Sequence, residues 1–414
     1  MSHLLIHEKI CSHYNQLLKW YENKTASIAY PIYSSYDVRD AGYKVGIVDA
    51  NIFPAGFNNI CPADLEESPE LFKIYLEKHY SPVPKKILLV TEEHTQNSFY
   101  WENVITIQKL IEAAGCTVLV GIPKNLSEPI ELISASGKKI IVHSAFLDNP
   151  IVQEFAPDLI VSNNDFSEAK EAWAENIQLP INPPRELGWY QRKKSNFFKF
   201  YNQLVLEFCE IADLDPFLLQ VRTEEFKDFD ITNDESVHRV AERVDAMIAD
   251  IKLEYSKRKI EQEPFIFVKN NSGTYGLGVI KVNSGEDFKS LNYKSRKKMK
   301  AAKGGRDVEE VVIQEGIPSV VRADGATAEP VIYMIGCQLA GGFFRTHKEK
   351  NESESLNSPG AVYKRMCISD LSIRLSECPC ENAYGWASKL ALLAIANEGN
   401  QLEIKFRNFI LSKD

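Results

Sequence analysis

Lys269 closes an alternating apolar stretch, Phe265-Ile-Phe-Val268, and glycines follow it at 273, 276 and 278. Alternation puts Phe265 and Phe267 on one strand face and Ile266 and Val268 on the other, so the lysine leaves the strand end in a fixed direction. Val279-Ile-Lys-Val282 is the return strand. Lacking Cβ atoms, Gly273, Gly276 and Gly278 let backbone amides close on an anion, with Thr274 and Tyr275 in the same loop. The chemistry this permits is a grip on nucleotide phosphates. The same residues would also build a plain glycine-containing hairpin with a solvated lysine.

A second group is polar where a core strand would be apolar: Arg39, Lys44, Asp49, Asn51, Asn58 and Asn59. Both charge signs and several amides suit a zwitterionic ligand such as an amino acid; a loop-rich surface segment with internal ion pairs is the plainer alternative. Glu92, His94, Thr95 and Asn97 follow a short apolar run, where open α/β sheets collect ligands at their strand ends. The pair Gln314-Glu315 follows another buried-looking strand. Backbone groups there could bond an adenine edge, and Glu315 could accept from ribose hydroxyls. Arg185 and Arg192, in a rigid basic aromatic loop, could hold phosphate or carboxylate groups or stay solvated. The basic run at 294–306 could fold over a triphosphate or form a solvated surface helix.

These residues need elements to hold them. Residues 4–22 have the spacing of a short amphipathic helix. Residues 86–91, 98–114 and 116–120 read as strand, helix and strand, with Gly115 as the helix stop, a βαβ unit. Residues 159–162 repeat a strand end followed by an Asn/Asp turn. Ser195 is placed to cap a helix with Phe198, Tyr201, Val205, Phe208 and Ala212 along one side. A charged stretch at 213–233 containing Asp215-Pro216 marks a domain junction. A long helix from about 234 to 259 follows, with acids at its start and Lys257-Arg-Lys259 at its end. Residues 329–335 and 339–344 read as two strands ending in Arg345, the polar segment 351–358 as a mobile loop, and Trp386, Leu390, Leu393 and Asn397 as a closing helix stopped by Gly399. The division is thus 1–215, an α/β substrate-binding domain, and 216–414, a nucleotide-binding and catalytic domain.

Bulk properties narrow the class. The chain has 414 residues, 44% of them hydrophobic, enough for a real core. A net charge of −9 and a pI near 5.6 argue against general nucleic-acid or anionic-membrane binding. No stretch has the length of a signal peptide or membrane span, which points to the cytoplasm. The eight cysteines lack a repeated pair spacing, and Cys378-Pro-Cys380 has neither a partner pair nor nearby histidines, so free reduced thiols are expected rather than a structural zinc site.

Longer motifs carry a resemblance. The order strand-Lys269, glycine loop, strand-Gln314-Glu315, hairpin to Arg345 and Asn357-Ser-Pro-Gly360 resembles the ATP-grasp ligases. Tyr36-Asp-Val-Arg-Asp-Ala-Gly-Tyr-Lys44, Val48-Asp-Ala-Asn-Ile-Phe-Pro-Ala-Gly-Phe-Asn-Asn59, Glu93-His-Thr95 with Asn97, Gly273-Thr-Tyr-Gly-Leu-Gly278, Gln314-Glu-Gly316, Ala328-Glu-Pro330 and Leu356-Asn-Ser-Pro-Gly360 look like the proteobacterial glutamate-cysteine ligase family over nearly the whole chain. The resemblance implies a mixed α/β fold, a Rossmann-like N-terminal domain followed by an ATP-grasp domain. It implies formation of γ-glutamylcysteine from glutamate, cysteine and ATP through an acyl phosphate, the first step of glutathione synthesis. Lys269 would hold the α/β-phosphates, the 273–278 amides the β/γ-phosphates, and Arg345 the transferring phosphoryl group and the oxyanion. ATP-grasp relatives end in a strand bearing Glu-x-Asn as magnesium ligands; this chain has no such triplet near its end, so Glu329 and Asn357 become the Mg²⁺ candidates. The family's Ala-Asp-Ala is here Asn270-Asn-Ser272, one carboxylate fewer. Alternatives left open are a ligase for another amino-acid pair and a nucleotide-binding regulatory protein without turnover. Small-molecule substrates are the implied partners, and a homo-oligomer is compatible with the sequence.

Overall fold

The apolar runs close into two cores in the computed structural model, which describes residues 2–94, 96–167, 172–174, 177–272, 278–300, 308–373 and 380–411. One core gathers side chains from Phe226 to Ile313, and the other takes residues from both ends of the chain, from Ile6 to Ala396. Sheet membership likewise joins sequence on either side of residue 215. The fold is mixed α/β, as expected.

Helix α1 (Ser2–Ala26) runs past residue 22, since no glycine or proline interrupts it. Strands β1 (Tyr33–Asp40) and β2 (Val45–Asn51) pair antiparallel through a tight turn in which Gly42 has φ +77°, a conformation glycine adopts without a Cβ clash. The polar 34–60 segment therefore opens as a buried hairpin rather than as loop. Its charges are tolerated because partners from the far end of the chain neutralise them. After α2 (Pro62–His79), the strands β3 (Lys86–Val90), β4 (Thr117–Ile122), β5 (Ile130–Ile133), β6 (Lys139–Ser144), β7 (Leu159–Ser162) and β8 (Ile181–Asn182) form a sheet in the order β5-β6-β4-β3-β7-β8. Every neighbour pair in it except β5-β6 is parallel. Helix α3 (Ser98–Ala113) crosses from β3 to β4 as the βαβ reading requires, capped by Asn97. Helix α4 (Pro150–Phe155) precedes β7.

Helix α5 (Lys194–Ala212) starts at Lys194 with Lys193 at the cap position. Ser195 is not its cap. Instead the Ser195 amide donates to Asn271 Oδ1 at 2.9 Å, so the helix start is tied to the segment after Lys269. Strands β9 (Thr223–Phe226), β10 (Ile266–Asn270), β11 (Val279–Val282) and β12 (Val311–Glu315) make an antiparallel sheet in the order β11-β10-β12-β9. Helix α6 (Asp234–Lys257) covers it with Val237, Val240, Val244 and Ile251, and Asn233 accepts from the amides of Glu235 and Ser236 at its start. Two short helices, α7 (Gly285–Lys289) and α8 (Tyr293–Lys300), follow β11; the remainder of the basic run, 301–306, lies outside the described residues.

Strands β13 (Arg322–Ala323), β14 (Ala326–Ile335), β15 (Gln338–His347) and β16 (Val362–Met366) complete a sheet ordered β16-β15-β14-β1-β2. Both long strands exceed the expected 329–344, and Arg345 lies inside β15, not past its end. Helix α9 (Ala383–Gln401) is buried nearly all round, which suits its Ala/Leu-rich composition. Gly399 does not stop it; the helix continues to Gln401. Among the described residues, no helix is long and apolar enough to cross a membrane.

Candidate active site

The site forms where the edge of the β1-β2 hairpin meets the β10-β12 sheet. Phe267 and Lys269, two residues apart on β10, present the same face. They line a cavity together with Asp37, Arg39, Val48, Asp49, Lys194, Asn270, Val279, Ile317, Glu329, Ser355 and Asn357.

Lys269 is the most informative of these. Its Nζ donates to Gln314 Oε1 at 2.6 Å and to Val48 O at 3.1 Å, both uncharged acceptors. The carbonyl of Val48 is available because pairing between β1 and β2 skips that residue: Asp37 faces Asp49 and Val38 faces Ile47. Such a bulge re-aims backbone groups. Burial pulls the lysine from its ordinary 10.5 down to about 8, with the Lys194 and Arg39 cations adding to the effect and Asp49 and Asp37 opposing it. A buried lysine at a cavity wall whose hydrogen-bond partners are neutral has the chemistry to receive an anion.

The carboxylates, by contrast, are paired. Register places Arg345 opposite Glu329 on β15 and β14. Arg345 Nη1 donates to Glu329 Oε1 at 2.7 Å and to Asp37 Oδ2 at 2.6 Å. Arg39 Nε stands 2.5 Å from Glu329 Oε2, and its two terminal nitrogens donate to the carbonyls of Glu352 and Glu354. Lys194 Nζ meets Asp49 Oδ1 at 2.5 Å. Burial raises the Asp37 carboxyl more than Arg345 lowers it. Burial also works to raise Asp49, but Lys194 and Lys269 outweigh it and the carboxyl ends below its usual range. Arg345 does not itself line the cavity; its partners do. The cavity lining balances three cations, Arg39, Lys194 and Lys269, against three carboxylates, Asp37, Asp49 and Glu329, and Arg345 stands behind two of the latter.

Several expected residues fall elsewhere. Lys44 Nζ sits 2.9 and 3.0 Å from the oxygens of Glu315, both side chains buried, away from Arg39 and Asp49. Glu315 also accepts from the Arg222 amide at 3.2 Å, so its carboxylate is engaged within the protein. Gln314 serves Lys269 and Thr223 through its side chain. Asn51 accepts from the Phe53 amide, and the Asn58 amide donates to Asn59 within a short 3₁₀ turn. That loop packs on the carboxyl edge of the parallel sheet, where Asn103 and Asn163 both donate to Pro54 O. His94 is there too, 3.8 Å from Glu92. Thus the chain runs from the cavity at Asp49, near the end of β2, to Pro54 at the sheet edge that also carries His94. Gly273, Thr274, Tyr275 and Gly276, and Thr95, lie outside the described residues; Gly278 has φ +65° at the return into β11. Arg192 is not solvated; the carboxylate it holds is the protein's own, in a buried pair with Glu398, and it also donates to Ala50 O.

Sequence reasoning did not single out Asp37 or Lys194. Asp37 could have been found from its position two residues before Arg39 on one strand face. Lys194 carried no signal beyond its basic neighbours.

For Mg²⁺, Asp37, Asp49, Glu329 and Asn357 offer the hard oxygen donors that ion takes. Each of the carboxylates already faces a cation, so the set fits a metal that arrives with phosphate oxygens rather than a preformed protein cage. Among the described residues the three-ligand cluster close enough to enclose an ion is a different one, Cys61, Asp64 and Cys367.

Comparisons with known proteins now bear on this geometry. A family model described as glutamate-cysteine ligase matches residues 7–399. A crystal structure from Methylobacillus flagellatus KT, provisionally named a gamma-glutamylcysteine synthetase, is 31% identical, superposes with a TM-score of 0.87 and covers 96% of each chain. D-alanyl-alanine synthetase A from Vibrio cholerae shares 12% identity over 77% of this chain and 81% of its own at a TM-score of 0.32, too remote to carry an argument. No protein of curated function matches. A family match spanning nearly the whole sequence, with a structural relative superposing over the same span, places this chain in the glutamate-cysteine ligase family, as a ligase.

Proposed function

We propose that the protein uses ATP to activate the γ-carboxylate of glutamate and passes the γ-glutamyl group to the amine of cysteine, as the first step of glutathione biosynthesis in the cytoplasm. A carboxylate is a poor acyl donor. Its oxygen takes the γ-phosphoryl group of ATP, ADP leaves, and the cysteine amine attacks the acyl phosphate through a tetrahedral oxyanion that expels phosphate. Such chemistry asks for positioning and for positive charge where negative charge develops, more than for a nucleophilic side chain.

Lys269 is the observation that carries the reading: a buried ammonium at the cavity wall, held by neutral acceptors and facing the side where the glycine loop returns. Here it meets the phosphates, with Phe267, Val279 and Ile317 as apolar walls for the base, an ATP-grasp-like clasp. Arg39 is the guanidinium at the cavity surface. Arg345 stands behind Asp37 and Glu329, neutralising part of their charge and fixing their position at the site where phosphate and metal are held. The loop from Asp49 to Asn59, reaching toward His94, takes the amino-acid substrates. Glu329 and Asn357, with Asp37 or Asp49, would hold Mg²⁺, which when bound shields charge on the transferring phosphoryl group.

The test is ADP release, with mass analysis of product, as each of ATP, Mg²⁺, glutamate and cysteine is omitted in turn. Turnover is expected only with all present, and other amino acids in place of cysteine report the acceptor. Equal ADP release without an amine would replace the ligase reading of this site with an ATPase.

A further inference from the structure

Outside the cavity lining, two cysteines 306 positions apart in sequence bring their sulfurs to 2.6 Å. Cys61 is the residue before α2 and is buried; Cys367 follows β16 and is half-exposed. Arg365, on β16, places its Nε 3.1 Å from both sulfurs. The same two elements are already joined by the Ile368 amide, which donates to Asp64 Oδ2 at 2.9 Å. None of these groups has a part in the ligase reading above.

Cys61, Asp64 and Cys367 also have the donor types of a metal site. Two features argue against it. Thiolates at about 2.3 Å from a tetrahedral zinc stand roughly 3.8 Å apart, well beyond this contact, and a guanidinium on both sulfurs repels a cation. Sulfurs in near contact beside an arginine fit thiol–disulfide chemistry instead. We propose that Cys61 and Cys367 are a dithiol that closes to an intramolecular disulfide, fastening the edge strand β16 to the start of α2.

The half-exposed sulfur opens the exchange. A Cys367 thiolate attacks one sulfur of a low-molecular-weight disulfide, RSSR, forming a mixed disulfide and releasing RS⁻. The Cys61 thiolate then attacks the Cys367 sulfur, and the second RS⁻ leaves. The two protons given up by the cysteines go to the two RS⁻, so the protein loses two hydrogens and RSSR becomes two RSH. Cys61 suits the second role: burial pushes its thiol up, but the contact with Cys367, the α2 amides of Ala63 and Asp64, and Arg365 bring it below its usual value. Burial and the same contact push Cys367 up. Closure pins β16, whose upstream connection carries the cavity residue Asn357, to a helix of the other half of the chain. A pair of this kind in a reducing compartment is expected to be transient and responsive.

The experiment exposes the reduced, folded protein to bis(2-hydroxyethyl) disulfide, then quenches and unfolds it, alkylates every free thiol and maps peptides by mass spectrometry. The expected result is a crosslinked peptide pair containing Cys61 and Cys367, with Cys11, Cys116, Cys209 and Cys337 alkylated. The oxidised protein should melt several degrees higher, with slower amide exchange at residues 362–366. Cys61→Ser should trap the mixed disulfide on Cys367, whereas Cys367→Ser should leave buried Cys61 slow to react. Arg365→Gln should slow closure. Recovery of Cys61 and Cys367 both alkylated would overturn the proposal. So would tight stoichiometric zinc binding by the reduced protein that shields both thiols, which would make the cluster a metal site. Neither result touches the ligase reading, which ADP release tests separately.

Discussion

Lys269 couples function to pH through a sign that can be worked out. Its drop from 10.5 to about 8 corresponds to about 3 kcal/mol against the folded, charged form. Below pH 8 the lysine is protonated in both folded and unfolded chains and that cost is fully present. Between pH 8 and 10.5 the unfolded chain binds the extra proton, so this residue's contribution to stability rises with pH. Phosphate binding reverses the shift, because an anion favours the ammonium. ATP affinity should therefore fall as pH rises through about 8, with proton uptake on binding. Calorimetry at pH 8 in buffers of different ionisation heat reads the uptake directly; in Lys269→Met it should vanish along with most of the affinity. Binding that took up no proton, or was indifferent to the substitution, would remove Lys269 from the phosphate site. Arg345 behaves differently. Its guanidinium, held protonated by Asp37 and Glu329 against the cost of burial, is shared by two buried carboxylates, so Arg345→Ala should cost about 3 to 5 kcal/mol of stability. At a temperature where the variant stays folded, kcat and kcat/KM should fall by similar factors with ATP affinity little changed. Thermal melts beside ATP titration and steady-state kinetics separate the two residues. Loss of ATP binding in Arg345→Ala with none in Lys269→Met would exchange their roles.

At the scale of elements, the turn between β12 and the rest of the clasp depends on a close approach. A Cβ on Gly316 would lie 2.2 Å from the ring of Phe265, whose carbonyl accepts from the Gly316 amide at 2.8 Å. Phe265 packs edge-on against Phe267, with centroids 5.7 Å apart, and Phe267 and Ile317 are cavity walls. Gly316→Ala should destabilise by about 1 to 3 kcal/mol through overpacking and weaken ATP by displacing those walls. Denaturant unfolding and ATP titration check both, and unchanged values would show that the ring yields freely. The neighbouring β10-loop-β11 hairpin was legible in the sequence because apolar alternation and glycines are local signals, as were the strands and helix around Ser98–Ala113. The β1-β2 hairpin was not. Its strands bury Arg39 and Asp40, and what permits this is Glu329 beside the first and the Tyr384 hydroxyl beside the second, about three hundred residues on. Local patterns carry no trace of such compensation. For the same reason Ser195 looked like a cap when the acceptor at that helix start comes from Asn271, and Glu315 looked available when Lys44 had already claimed it.

Across the whole molecule, polar contacts join the smaller core around α6 and the β9–β12 sheet to the larger one, and one of them reaches the cavity through Lys269. Lys269 reaches Val48 O, the Tyr43 and Tyr255 hydroxyls share a hydrogen bond of 2.7 Å, and Lys44 pairs with Glu315. The last is the most consequential. Both side chains are 2% exposed, and the Lys44 ammonium also lies over the Phe217 ring at 4.5 Å. Desolvating two charges costs several kcal/mol, which their attraction roughly offsets, so the intact pair adds little net stability while either half alone is expensive. Lys44→Met should thus cost about 3 to 5 kcal/mol by leaving the Glu315 carboxylate buried without its cation. Removing both charges, Lys44→Met with Glu315→Leu, should recover most of that loss. Because the pair fixes the β1-β2 turn against the end of β12, the single variant should also bind ATP more weakly than the double variant does. Thermal melts of the wild type and the two variants, each with and without saturating ATP, give the six values needed. A double variant no more stable than Lys44→Met would mean that the pair's energy comes from attraction rather than from avoided desolvation, and that the two cores are held together by it rather than merely aligned.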